Sequence, residues 1–357
     1  MTDISPIRTL IIDDSAVIRQ MLSGMLKEDP EIEVVGTAVD PFEAREKIKQ
    51  LNPDVITLDI EMPKMDGITF LEKIMSLRPM PVVMVSTLTQ KGADVTLQAL
   101  ELGAVDYVSK PTAHRPGEGM EALKDEIIVK VKAAAKANVR QLDMERGITD
   151  GELAYTARPE DDAARVIAIG SSTGGVEALR ELLSPLPDTL PPIVFTQHMQ
   201  AQFTSALATR LDGLTKLKVV HAQHGLRLQP GHAYLAPGDQ HLVVAKQGSM
   251  FICRLDDGSP VSGHKPSVDM LFSSVSKAYG DAACGVILTG MGKDGAIGLK
   301  EMHDAGAFTI GQNEESSVVY GMPRAAMEAG AVQEQLPLSR IPARIIEHLS
   351  AEKVHVA

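Results

Sequence analysis

The sequence predicts an α/β protein made of two parallel-sheet domains joined by a polar linker. From Arg8 to about Asn138, short apolar runs alternate with segments of helical period, which is how a parallel sheet with crossover helices reads. A second alternation begins near Arg165. At 357 residues the chain is also longer than one hydrophobic core ordinarily fills.

In the first unit RTLIID, EVVG, DVITLD, PVVMVS and AVDYVSK read as strands, with helical segments such as AVIRQMLSGMLKE and GADVTLQALELG between them. This is a (βα)5 pattern over 6–138. The last helix covers GMEALKDEIIVKVKAAAKA, where Met120, Leu123, Ile127, Val131 and Ala134 recur on one face. The periodicity then fades, and 139–163 is polar enough to serve as the linker. The second domain, 164–352, carries RVIAIG, PIVFTQH, KVVHA, HAYLAP, HLVVAK, MFICRL, CGVILTG and AFTIGQ. Its middle strands follow one another without helices, so a doubly wound, mostly parallel sheet with an added antiparallel section is expected.

Composition excludes several classes. An apolar share of 44% and a charged share of 23% are those of a globular protein. No apolar run approaches the roughly 20 residues that cross a bilayer, and MTDISPIRTL lacks a signal core, so a cytoplasmic protein without membrane insertion is expected. Cys253 and Cys284 lie in apolar runs, where a free thiol acts as a small hydrophobe. A net charge of −12 argues against a nucleic-acid partner. Nothing in the sequence demands more than a monomer.

Several chemistry-bearing residues fall at strand ends. Asp13 and Asp14 close the first strand, Asp59 the third, Ser86 the fourth and Lys110 the fifth. In a doubly wound sheet these ends share one rim, where clustered carboxylates favour a hard cation such as Mg2+. Carboxylate, metal, hydroxyl and ammonium together suit phosphoryl transfer to Asp59. Taken singly, Asp14 also fits a helix N-cap and Lys110 a loop charge. DDS, LDIEMPKMDG, MVSTLT and DYVSKP, in this order and spacing, make the segment resemble a response-regulator receiver domain, hence flavodoxin-like in fold. The resemblance implies that Asp59 is the phosphoacceptor of a histidine kinase. It further implies that Asp13, Asp14, Asp59 and the Glu61 backbone carbonyl hold Mg2+, that Ser86 and Lys110 contact the phosphoryl group, and that Tyr107 is an aromatic switch.

In the second domain VIAIGSSTGGVEALRELL passes from strand through a glycine turn into a helix. The turn lacks the lysine of a Walker loop and the spacing of a dinucleotide fingerprint. It does fit Gly170-x-Ser172-x-Gly174, the spacing of a nucleophile elbow, which selects Ser172 over Ser171, although serines there also suit a helix cap. A serine needs a base and the base an orienting carboxylate. His198 ends the next strand and Asp294 follows VILTG, although Asp294 also suits the cap of the following helix. His221 and His224 have ligand-like spacing without further ligands, and His232, His241 and His264 read as surface or packing residues. Gly290-x-Gly292-x-x-Gly295 is a literal dinucleotide fingerprint and keeps a nicotinamide-dependent oxidoreductase open, although the Asp294 charge would oppose a pyrophosphate.

IAIGSSTGG, TQHM, AYLAPGDQH, HKPSVDMLF, VILTGMGKDG and QNEESSVVYGMPRAA resemble, in order, the catalytic domain of the chemotaxis response regulator protein-glutamate methylesterases, the CheB family. The resemblance implies Ser172 as nucleophile, His198 as base, Asp294 as its partner and the Met291 backbone N–H in the oxyanion hole. It implies demethylation of glutamyl methyl esters and deamidation of glutamines on methyl-accepting chemoreceptors, with no cofactor for the esterase chemistry. It also implies control by Asp59 phosphorylation, with the unphosphorylated receiver expected to cover the Ser172 cleft. Ser171 departs from the alanine common in that family. A receiver fused to a non-catalytic output or scaffold domain is the remaining alternative.

Overall fold

The computed structural model describes residues 5–63, 65–87, 89–110, 120–139, 153–156 and 164–351. The chain divides into two compact units, Met1–Asp143 and Met144–Ala357. Most of the stretch expected as linker lies outside the described residues. Within it Tyr155 is buried, and its carbonyl accepts a hydrogen bond from Thr189 Oγ1 at 2.7 Å.

The first unit alternates β1 (Ile7–Ile12), α1 (Ala16–Lys27), β2 (Ile32–Ala38), α2 (Pro41–Leu51), β3 (Val55–Asp59), α3 (Gly67–Leu77), β4 (Val82–Ser86), α4 (Gln90–Glu101), β5 (Asp106–Ser109) and α5 (Met120–Ala134). The strands pair in parallel in the order β2-β1-β3-β4-β5. Every residue of β3 and β4 is buried, which is why those strands read as unbroken apolar runs. On α5, Leu123, Ile127, Val131 and Ala134 are buried, as their spacing predicts, and Met120 is half-buried. The strand order reverses between β1 and β3, which opens a crevice outside their carboxyl ends.

The second unit runs β6 (Val166–Ser171), α6 (Gly175–Leu183), β7 (Ile193–Gln197), α7 (Ala201–Leu214), β8 (Lys218–His221), β9 (His232–Leu235), β10 (His241–Gln247), β11 (Met250–Asp256) and α8 (Val268–Tyr279). It continues through β12 (Ala283–Ile287), α9 (Ala296–Asp304), β13 (Phe308–Gln312), α10 (Met322–Glu328), β14 (Glu334–Leu336) and α11 (Ile341–Ser350). Seven strands form a wholly parallel sheet in the order β14-β13-β12-β6-β7-β9-β8. The order reverses between β6 and β12, so the carboxyl ends of those two strands flank this unit's crevice.

The antiparallel section is present but stands apart from the main sheet. β10 and β11 form a separate two-stranded hairpin, closed at Gly248-Ser249. β8 and β9 are parallel neighbours instead, and parallel neighbours need a crossover between them. The 222–231 connection provides it by bonding to the hairpin: Leu228 N donates to Phe251 O at 2.8 Å and Cys253 N to Leu226 O at 2.7 Å. Apolar period alone does not say which neighbour a strand takes, so this division was hidden in the sequence. Cys253 and Cys284 are both buried and free, and burial pushes each thiol up to about 12.

Candidate functional site

At the crevice of the first unit, Asp13 follows β1 and Asp59 ends β3. Both are buried, while Asp14 is exposed, and ligand oxygens of the three lie within 4.8 Å of one another. Lys110 follows β5 and sets its ammonium 2.9 Å from Asp13 Oδ2 and 2.8 Å from Asp59 Oδ2. Those two oxygens are buried and receive no hydrogen bond of good geometry. Burial raises the Asp59 carboxyl to about 6 against the opposing pull of Lys110, and the Asp13 charge adds to the rise. Burial opposes the Lys110 charge, but the two carboxylates outweigh it and raise that group's pKa.

The Glu61 N–H donates to Asp59 Oδ1 at 3.3 Å, and its carbonyl accepts no hydrogen bond from the described residues. Three carboxylates and a free carbonyl make an all-oxygen donor set, which fits a hard cation such as Mg2+. Ser86 ends β4 beside β3, with its hydroxyl engaged by Thr96 Oγ1 at 2.8 Å. The cap of α1 is Ser15, not Asp14. Tyr107 is buried under the Lys130 ammonium, which lies 4.7 Å from the ring centroid and donates to the Tyr107 carbonyl at 2.6 Å.

At the crevice of the second unit, GSSTGG makes a tight turn from β6 into α6, with Gly175 N donating to Ser172 O at 2.7 Å. The cap of α6 is Gly174 at φ 75, with no side-chain cap bond, so neither serine is spent on capping. A Cβ on Gly174 would also lie 2.5 Å from Val318 Cβ, so both conformation and space require glycine there. Ser171 pairs with Gln197 across β6 and β7, so Ser172 and His198 emerge from neighbouring strands at the same level. His198 N donates to Ser171 O at 3.1 Å, and Ser172 N donates to Thr289 O at 3.0 Å, which draws the turn against the end of β12.

The expected partners of Ser172 come together in part. His198 Nε2 lies 2.8 Å from Asp294 Oδ2, and its other nitrogen, Nδ1, is buried without a hydrogen-bond partner. Asp294 does not cap α9, whose cap is Gly295. It meets the start of α8, where Val268 N and Asp269 N donate at 2.7 and 3.0 Å. Burial would raise its carboxyl, yet the His198 bond and those two N–H groups hold it down at about 2. The Met291 N–H has no acceptor among the described residues and lies one residue past Gly290, where a Cβ would stand 2.7 Å from Ser172 Cβ.

The dinucleotide-like spacing therefore serves close approach: the Gly290 carbonyl accepts from Gly321 N at 3.0 Å and Met322 N at 2.8 Å, so that side of the turn is already packed. His221 Nε2 is taken by Thr204 Oγ1 at 3.0 Å, and among the described residues the possible metal cluster is the Asp13, Asp14 and Asp59 group.

Four residues at this site escaped the sequence reading. His264 stacks on His198 at 3.9 Å between centroids, and burial with the neighbouring His198 lowers it to about 4, so it is neutral at neutral pH. Gln197 Nε2 bridges the carbonyls of Ser172 and His198 at 2.9 and 3.2 Å, while its Oε1 accepts from Ser171 Oγ at 2.7 Å. Ser267 and His241, both buried, stand behind Asp294. Of the histidines read as surface or packing residues, His241 opens β10 and is buried, and His264 lies in the connection between β11 and α8 with its ring packed on His198.

The fold and the two crevices define a response regulator whose output unit is built like an enzyme. Residues 9–123 match the response regulator receiver domain model and residues 167–345 match the CheB methylesterase model. The chain is 54% identical to the protein-glutamate methylesterase/protein-glutamine glutaminase 1 of Xanthomonas campestris pv. campestris over 99% of each chain. It is 55% identical to the protein of the same name from Caulobacter vibrioides over 97% of this chain and 99% of that one. The crystal structure of the Thermotoga maritima CheB methylesterase catalytic domain superposes with a TM-score of 0.51 at 38% identity, over 52% of this chain and 98% of that one. The chain belongs to the CheB methylesterase family and carries a receiver domain. The described residues hold no helix long and apolar enough to cross a membrane.

Proposed function

We propose that the chain is a phosphorylation-regulated serine esterase that hydrolyses γ-glutamyl methyl esters, and deamidates glutamines, on methyl-accepting chemoreceptors. The observation that carries this reading is the buried His198–Asp294 pair beside the elbow serine. Asp294 holds the Nε2 proton, which leaves the Nδ1 lone pair to act as base. Ser172 Oγ attacks the ester carbonyl and Nδ1 takes the hydroxyl proton. The Asp294 carboxylate stabilises the imidazolium, and the Met291 N–H donates to the developing oxyanion. The C–O bond breaks, Nδ1–H protonates the leaving methoxide to methanol, and water activated by the same nitrogen frees the glutamate from Ser172. With a glutamine side chain ammonia leaves in place of methanol.

In the receiver unit Asp59 accepts the phosphoryl group from a histidine kinase. Asp13, Asp14, Asp59 and the Glu61 carbonyl would hold Mg2+, which when bound neutralises phosphoryl oxygens. Lys110, paired with Asp59, would follow the negative charge onto the phosphoryl group. Methanol release from methylated receptor, with and without a small phosphodonor, tests the reading. Release that Ser172→Ala abolishes and the phosphodonor accelerates is the expected result. Release by Ser172→Ala at the wild-type rate would overturn it.

A further inference from the structure

Asp294 is held by more than its histidine. Ser267 Oγ lies 2.8 Å from Asp294 Oδ1, so that with Val268 N, Asp269 N and His198 Nε2 four groups converge on one carboxylate. The same hydroxyl is the N-cap of α8 and accepts from Met270 N at 3.3 Å. A hydroxyl that accepts on its oxygen has one proton to direct, and an ionised carboxylate can only accept, so the proton points to Asp294. Behind it, Ser267 N donates to His241 Nδ1 at 3.0 Å. An imidazole accepting at Nδ1 carries its proton on Nε2, and His241 Nε2 lies 3.1 Å from the Ser259 carbonyl. His241 is 1% exposed and opens β10, opposite Asp256 in the hairpin.

We infer that Ser267, fixed by His241, is a positioning residue for the esterase, aiming Asp294 at His198 and tempering its charge. The inference rests on the triad reading above and gives the separate hairpin a role, since β10 anchors the chain of bonds. The ionisable groups around the pair are His264, stacked on His198, and Asp269, whose carboxylate accepts from Gly298 N at 2.8 Å and Ser262 Oγ at 3.1 Å.

The test is the pH dependence of kcat/KM for methanol release by the full chain. Ser267→Ala removes both donor and cap, Ser267→Gly removes the donor while keeping a tolerated N-cap residue, and Ser267→Thr keeps both functions. Without the hydroxyl, the Asp294 charge acts more fully on His198. The acid limb then moves up by about 0.5–1 pH unit in the Ala and Gly variants, and the plateau falls about 3- to 30-fold. Ser267→Thr brings the limb and most of the plateau back, and His241→Gln, which can still accept the Ser267 N–H, falls between. An Ala or Gly variant whose plateau drops with an unmoved limb would mark the hydroxyl as structural and overturn the inference. If Ser172→Ala stays active, the triad reading itself fails; if it is dead while the Ser267 profiles do not move, only this inference fails.

Discussion

His198 meets Asp294 through Nε2, at 2.8 Å from Oδ2, and keeps Nδ1 buried and without a partner. In the proposed mechanism the nitrogen nearer the backbone is therefore the one that would work as base. A full chain carrying Nδ1-methylhistidine at position 198 should lose methanol release by about 100-fold or more, because the lone pair that takes the serine proton is capped. Its Asp294 bond and thermal stability should persist. Retained turnover would show that the other nitrogen serves the serine.

Ser171 and Ser172 differ by one position and by opposite pointing. Ser171 is buried and gives its proton to Gln197 Oε1, which fixes the amide so that Nε2 ties the Ser172 and His198 carbonyls together. Ser172→Ala should remove turnover, about 1000-fold or more, whereas Ser171→Ala should stay active with a loss of about 3- to 10-fold, the worth of one neutral hydrogen bond. Gln197→Ala should cost more, and the double Ser171→Ala, Gln197→Ala variant should be no worse than Gln197→Ala alone. Additive losses in kcat would mean that Ser171 acts by another route.

Gly290 has no room for a methyl group. A Cβ there would meet Ser172 Cβ at 2.7 Å, Ser172 N at 3.1 Å and Met322 Sδ at 2.3 Å, and while the methionine end can swing, the backbone and Cβ of the serine turn cannot give without shifting the turn. If Ser172 is the nucleophile and the Met291 N–H the oxyanion donor, as proposed, Gly290→Ala should lower kcat about 10- to 1000-fold with KM little changed. Labelling of Ser172 by a fluorophosphonate should slow in step. A variant with wild-type kcat would show that the close approach is dispensable.

Much of this was legible in the sequence because buried parallel strands read as apolar runs and their ends carry the chemistry. Asp13, Asp59 and Lys110 converge as their strand-end placement predicts, and so do His198 and Asp294. Ser267, His241, Gln197 and His264 were not legible. Ser267 reaches Asp294 across 27 positions and His241 reaches Ser267 across 26, contacts set by how the hairpin packs on α8 and not by any local period. The same packing hid the separation of β10 and β11 from the main sheet, since alternation of apolar residues marks a strand without naming its neighbour.

Asp59 sits in its crevice at a cost to stability. Its folded-state pKa, raised by burial to about 6, lies above the ordinary 3.8, so between about pH 4 and 6 the native state binds more protons than the unfolded chain. Stability therefore falls as pH rises through that window, by on the order of 2–3 kcal/mol, and the full deficit is present above it. Asp59→Asn mimics the protonated group, so at pH 7.5 it should slow hydrogen exchange of the β1, β3 and β4 amides relative to wild type. The difference should shrink as pH drops toward 4. Mg2+ should protect the wild-type amides more than those of the variant, because in the proposed site the ion would bind the charged carboxylate. An Asp59→Asn protein that exchanges faster than wild type at pH 7.5 without Mg2+ would mean that the Lys110 ion pair outweighs the burial of the charge.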